Sequence, residues 1–119
     1  MQVCEIVKPL NAEVIVSGST FADGEIAGVV VSDLMSDVLV VDDTGFLLVS
    51  SLASEQLIRT ADIVGAVGVV LVNGKRAPPS MRELAESLDQ TFLRTEHTSF
   101  HTCRVLASLL YPDGGEDER

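Results

Sequence analysis

The sequence has no tryptophan, one tyrosine and four phenylalanines in 119 residues. Large aromatic side chains therefore cannot dominate its core, which must be built from Val, Leu, Ile and Ala. Basic residues are also scarce, with eight Lys and Arg against 18 Asp and Glu and a formal net charge of −10. The few cations are scattered along the chain. Binding to a phosphate backbone needs them clustered, so neither nucleic acid nor an anionic membrane is an expected partner. Only Cys4 and Cys103 carry thiols, too few for a disulfide framework. Two buried thiols in a reducing cytoplasm are the expectation, because Glu5 and Lys8 interrupt the opening residues where a secretory signal would need an apolar run. No apolar stretch reaches the ~18 residues of a membrane span.

What is present is sufficient for one globular domain. The apolar fraction of 46% supplies a core without metal or disulfides at this length. The expected division is a domain over 1–112 and a disordered, solvated acidic tail over 113–119, where Asp113, Glu116, Asp117 and Glu118 sit among glycines.

The stretch from Val67 to Thr95 organises the chain. An apolar β-branched run, Val69 to Val72, leads into Asn73-Gly74. A helix follows from Pro79 or Ser80, and then a short strand ends at Thr95. This is a β-α-β unit. A run apolar on both faces requires cover on both sides of its sheet, and two strands joined by a helix are parallel with a right-handed crossover. The fold class is therefore α/β.

Periodicity places strands near 13–17, 26–31, 46–50, 68–73 and 91–94. Helices are expected near 2–9, 54–65, 80–88 and 99–111. The first helix has the stripe Val3, Ile6, Val7 and Leu10, and the third Met81, Leu84, Ala85 and Leu88. The last has Phe100, Cys103, Leu106, Ala107 and Leu110. Ser80 and Glu83 have capping-box spacing. The first two strands are too close in sequence for a parallel crossover, so they are expected to be antiparallel if they pair, giving a mixed sheet. Asp33 to Val41 reads either as a helix or as the first arm of a hairpin with Phe46 to Val49.

Several constellations invite a chemical reading. Gly68 to Lys75 is a near miss for a P-loop: five residues separate Gly68 from Gly74, and Arg76 stands where Ser or Thr is needed. A buried strand ending in a turn explains the same residues. His97, His101 and Cys103 lie close in sequence, but zinc wants three or four converging ligands. His97 should precede the helix cap and not share a face with His101, so no metal site is assigned. Asp33 and Asp37 could do acid-base work, although carboxylates at a helix start are ordinary dipole partners.

The serines at 50, 51 and 54 follow a strand and open a helix. Ligands gather beyond the carboxyl ends of strands in open α/β sheets, and helix starts favour anions. Asn73-Gly74 and Thr95 should share that edge. The candidate ligand-binding set is thus Ser50, Ser51, Asn73, Gly74, Lys75 and Thr95, holding a small anionic or phosphate-bearing ligand at an edge expected to be free of carboxylates, with Lys75 or Arg76 able to add charge from the adjoining loop. Ordinary capping is the alternative. No histidine is placed to activate these serines, so no catalytic residue and no cofactor are assigned.

Two segments carry a family resemblance. Ser32-Asp-Leu-Met-Ser-Asp-Val38 resembles the "GDLLSDV" turn of stand-alone DRTGG-domain proteins. Val70 to Leu109 resembles their C-terminal half, through Asn73-Gly74, Pro78-Pro79, Glu83-Leu84-Ala85-Glu86, Thr95 and Ser99-Phe100. The likeness spans roughly residues 1–111. It implies a three-layer α/β/α sandwich with a mostly parallel or mixed five-stranded sheet, similar to the N-terminal domain of HPr kinase/phosphorylase. It also implies a helix over 33–41 and a non-catalytic regulatory or ligand-binding role, as a homodimer. An association with hydrogenase or other metabolic enzymes of anaerobic bacteria follows from the same resemblance. The P-loop of HPr kinase belongs to a separate domain. The family's name motif does not occur as such, and Ser50-Ser51-Leu52-Ala53-Ser54 replaces the polar or acidic loop of many members. Rival readings are a scaffold that binds a protein partner without a small ligand, and a small enzyme acting on a phosphorylated substrate.

Overall fold

A computed structural model describes residues 1–114. A 3-10 helix, Val3–Ile6, opens the chain. Then come β1 (Glu13–Val16), β2 (Gly28–Val31), α1 (Met35–Val38), β3 (Phe46–Ser50) and α2 (Glu55–Val64). They are followed by β4 (Gly68–Leu71), α3 (Pro79–Ser87), β5 (Phe92–Arg94) and α4 (Ser99–Leu110). The strands form one sheet in the order β1-β5-β4-β3-β2. Strands β2 to β5 are parallel neighbours, and β1 pairs antiparallel with β5. The sheet is therefore mixed, as expected, but its antiparallel pair is not β1 with β2. Those two strands stand at opposite edges.

The connection between them explains how. Residues 17–27 can extend to roughly 36 Å at ~3.3 Å per residue, whereas four interstrand steps need only about 19 Å. The segment crosses the sheet at the amino ends of β4 and β5. Ser19 N–H donates to Asp89 Oδ1 at 3.1 Å, and the Thr20 hydroxyl donates to the Val67 carbonyl at 2.7 Å. At Gly18 an added Cβ would lie 2.5 Å from the Asp89 carbonyl oxygen and 2.8 Å from the Thr91 nitrogen. Only glycine lets the backbone pass there.

From β2 to β5 the chain steps across the sheet in one direction. Right-handed crossovers then put α1, α2 and α3 on the same face. The 3-10 helix and α4 cover the other. The core is split accordingly. Phe46 and Leu48 of β3 meet Leu57, Ile58 and Met81 on one side, while Leu47 and Val49 meet Val3, Ile6 and Leu106 on the other. Every residue of β3 and β4 is buried, which is why those runs are apolar without alternation.

The helices follow local rules with three corrections. Ser54 caps α2 by accepting from Gln56 N–H at 3.2 Å, and Gly65 ends it in the left-handed region at φ 71°. The Ser80–Glu83 capping box does not form. Pro79 opens α3, so Ser80 lies inside the helix and Pro78 takes the cap position without a side-chain bond. Met81 and Ala85 are fully buried, but Leu84 and Leu88 only partly. In α4 the inward stripe is rotated from the expected one. Thr102 and Leu106 are buried, whereas Phe100 is 81% exposed. Two bonds at the start set this phase: Thr98 Oγ1 accepts from His101 N–H, and Asn73 Oδ1 accepts from Ser99 N–H.

The ambiguous 33–41 segment is helical, as the resemblance implies, but only over Met35–Val38. A hairpin with β3 is ruled out because β2 and β4 occupy both sides of that strand. Tail residues Glu116, Asp117 and Glu118 lie outside the described residues. Among the described residues no helix is long and apolar enough to cross a membrane.

Met81→Ala should cost roughly 2–5 kcal/mol in urea melts, as expected for emptying a filled core position. Leu84→Ala should cost less, because that side chain keeps some solvent contact. Equal losses would show that α3 packs through a different face.

Candidate functional site

Parallel registration aligns the carboxyl ends of the central strands. Ser50 lies opposite Leu71, and Leu71 opposite Arg94. The segments leaving β3, β4 and β5 therefore emerge along one edge, and Ser50, Ser51, Asn73, Gly74, Lys75 and Thr95 all belong to it. Their polar groups are largely turned onto the protein itself. Thr95 is 1% exposed; its hydroxyl donates to the Leu10 carbonyl at 2.8 Å and accepts from His97 N–H at 3.2 Å. Asn73 N–H donates to the His97 carbonyl at 2.7 Å, Gly74 N–H to the Thr95 carbonyl at 3.1 Å, and Lys75 N–H to the Val72 carbonyl at 3.3 Å. The Asn73 side chain caps α4.

The edge is not free of carboxylates, which corrects the expectation drawn from the sequence. Asp33 Oδ1 accepts from the Ser50 hydroxyl at 2.9 Å and from Ser51 N–H at 2.7 Å. Its Oδ2 accepts from the Ser51 hydroxyl at 2.7 Å. The reason is topological. Because β2 runs parallel beside β3, the turn after β2 is delivered next to the turn after β3. Asp33 thus ties the turn after β2 to the turn after β3. The Ser51 hydroxyl and then its amide hold the Asp33 carboxyl below its usual value, with smaller help from Ser50 and the charge of Lys75, and against the desolvation that opposes them. Glu96 adds a second carboxylate, which packs over Gly74.

The one-way winding also gives the parallel strands no point where the strand order reverses, which is where a crevice opens at the carboxyl edge of such a sheet. The order reverses at β5, where β1 joins antiparallel. There an open cleft of about 610 Å³ lies between β1, β5 and the start of α3, lined by Glu13, Ile15, Arg76, Ala77, Pro79, Arg82, Glu83, Arg94 and Glu96. Three arginines balance three glutamates, so the lining is neutral in a chain of net charge −10.

Arg94 organises this cleft. Its Nε donates to the Lys75 carbonyl at 2.6 Å, and its Nη2 to the Gly74 carbonyl at 3.0 Å and to Glu96 Oε2 at 2.6 Å. Nη1 lies 3.6 Å from Glu13. The guanidinium so fastens the Asn73–Arg76 turn to the cleft wall, using the fork geometry that lysine lacks. Arg82 pairs with Glu86 at 3.3 Å. Arg76 is exposed and forms no ion pair among the described residues.

Reading the sequence missed Arg94 and Arg82 as site residues, whereas Arg76 was expected to add charge from the loop after Gly74. A charged residue ending a short buried strand was the available signal for Arg94. His97 and His101, expected to lie apart, have ring centroids 4.2 Å apart. Desolvation, followed by His97 and Arg104, holds His101 below its ordinary pKa. Among the described residues no group of three or more His, Cys, Asp and Glu converges as metal ligands would.

Asp33 sets a pH dependence. Its folded pKa lies below the unfolded one, so its stabilising contribution is complete above the ordinary carboxylate pKa of 3.8. The contribution fades as pH falls through the lowered folded value. Asp33→Asn should therefore remove on the order of 1 kcal/mol at pH 7, a small loss because the group is exposed and screened. The difference from the parent chain should shrink in melts as pH falls below the ordinary carboxylate value of 3.8. A constant difference across that range would assign the loss to shape rather than charge.

No family model matches the sequence, and no curated protein matches it. The structure is similar to that of the CBS and DRTGG domains of the regulatory region of Clostridium perfringens pyrophosphatase, complexed with the activator diadenosine tetraphosphate. The TM-score is 0.72 over 88% of this chain, at 18% identity. This chain spans 45% of that one. The likeness is one of fold, and it supports a DRTGG-like α/β architecture.

Proposed function

We propose that this chain is a non-catalytic regulatory module that takes a small anionic ligand in the cleft beside α3. The observation that carries this reading is the uncommitted Arg76 in the lining of a neutral cleft of about 610 Å³, in a protein of net charge −10. Lys75 stands next to it. The turn through Asn73 and Gly74, braced by Arg94 and Thr95, holds Arg76 in the lining, while the charge of Lys75 acts on Asp33 at the other end of the edge. Ser50 and Ser51 form the far end of the same edge, where Asp33 occupies them. The ligand is thereby displaced from the serines toward β5 and α3. A phosphate or carboxylate would meet Arg76 through charge-assisted bonds, while Ile15, Ala77 and Pro79 give an uncharged part of the molecule a surface.

The fold likeness supports a regulatory role, since the neighbour is a regulatory region bound to a nucleotide activator. The finer likeness to the N-terminal domain of HPr kinase/phosphorylase belongs to the same proposal. So do a cytoplasmic homodimer, a globular unit ending near residue 112, and an association with hydrogenase or other metabolic enzymes.

NMR shift mapping against nucleoside phosphates, dinucleoside polyphosphates and sugar phosphates tests the site. Shifts are expected over 75–79 and at Arg82 and residues 94–96, and Arg76→Ala should weaken binding about tenfold, the ~1.4 kcal/mol scale of one charge-assisted contact. Absence of shifts there at millimolar ligand, or indifference to Arg76→Ala, would replace this reading with that of a scaffold.

A further inference from the structure

The two edges of the sheet differ in kind. At β1 the register shifts between Val14 and Val16, and Glu13 sits at the start of the strand beside Arg94. Irregularity and edge charge discourage another strand. β2 has neither defence. Gly28, Val29, Val30 and Val31 pair with Phe46, Leu47, Leu48 and Val49 without a shift, and carry no charge and no proline. Among the described residues no strand lies on the other side of β2 itself; the first residues of the chain cover only the backbone before it, where Gln2 bridges Glu25 and the Met1 carbonyl accepts from Ile26 N–H at 2.9 Å. In a parallel ladder, alternate residues turn their backbone groups outward. Ser32 N–H donates to the Val49 carbonyl at 3.1 Å, so even positions face β3 and the amides of Val29 and Val31 face away.

The surroundings of this edge are apolar and open. Val31, Leu34, Leu39 and Val40 are 44, 57, 49 and 77% exposed. A cleft of about 270 Å³ is lined by Gly28, Val29 and Val30 together with Asp43, and a second of about 360 Å³ reaches the start of β2 at Gly28 and includes Glu5. Charge then selects the occupant. Between Pro9 and Ile58 the sequence has eight Asp or Glu and no Lys or Arg. Glu25, paired with the Met1 ammonium at 3.1 Å, precedes β2, and Asp33 and Asp37 follow it, Asp37 making no ion pair among the described residues. A second copy pairing with β2 about a two-fold axis would set these acids against themselves, which costs rather than stabilises.

We propose that the β2 edge is a docking site for an extended segment of a partner polypeptide, alternating in β-branched residues and flanked by Lys or Arg, which adds as a sixth strand. Backbone bonds to Val29 and Val31 supply adhesion, apolar side chains alternate into the two clefts, and the flanking cations meet the acids. This surface lies across the sheet from the cleft beside α3, so the two proposals stand or fall separately.

The probe is a synthetic peptide of about nine residues with a Val/Thr core between lysine pairs, titrated into the isotopically labelled full chain. Amide shifts should centre on 28–31, and affinity should fall steeply as salt is raised. Val29→Pro removes an outward donor where an edge strand tolerates proline, and should weaken binding at least about tenfold. Val31→Lys, at a solvent-exposed position, should weaken it as well, and a glutamate-flanked peptide should not bind. Three results would overturn the proposal: no shifts near 28–31 at millimolar peptide, equal binding of the glutamate-flanked peptide, or concentration-dependent self-association that shifts the same amides.

Discussion

The constraint on which the rest depends is that β3 and β4 must be covered on both faces. Their residues are buried throughout, so neither side of the sheet centre can be left to water. Three helices fall on one face because the chain winds one way from β2 to β5. The other face is left to the two ends of the chain, the 3-10 helix and α4. This division explains why the first residues belong to the core: Val3, Ile6 and Leu10 are fully buried, as close-packed as any interior side chain.

One-way winding has a second consequence at the carboxyl edge. It places successive turns side by side, and each satisfies the next. Asp33 takes the hydroxyls and amide of Ser50 and Ser51, Thr95 takes Gly74 N–H and gives its own hydroxyl to Leu10, and Asn73 caps α4. Polar groups near a core need partners, and here the protein provides them internally. An edge rich in hydrogen-bonding residues is thus a self-contained seam. Space and uncommitted charge occur instead where the strand order reverses, beside β1 and α3.

Charge is distributed as unevenly as shape. Seven of the eight basic residues lie outside the span between Lys8 and Ile58, and Lys8 stands at its border. The half of the sheet nearest β2 is acidic, and the half nearest β5 holds Arg76, Arg82 and Arg94. Such a gradient disfavours an anion in the first region relative to the second and favours a cation in the reverse sense. The two proposed sites follow this gradient.

Local pattern was enough for the elements. Val69 to Val72 reads as a doubly covered strand from its composition alone, Ser54 and Gly65 bound α2 by capping chemistry, and β-α-β order dictates the hand of the crossovers. These are properties of short segments, and segments carry them in their own residues. Tertiary structure decided everything that depends on neighbours distant in sequence. No spacing discloses that β1 pairs with β5, since a loop of that length reaches either edge. The phase of α4 was set by Asn73, 26 residues before Ser99, which turned Phe100 outward although periodicity placed it inside. Likewise Asp33 met Ser50 and Ser51 only because β2 came to lie beside β3. Hydrogen bonding and burial are settled by which surfaces meet, and that information resides in the assembled sheet rather than in any stretch of chain.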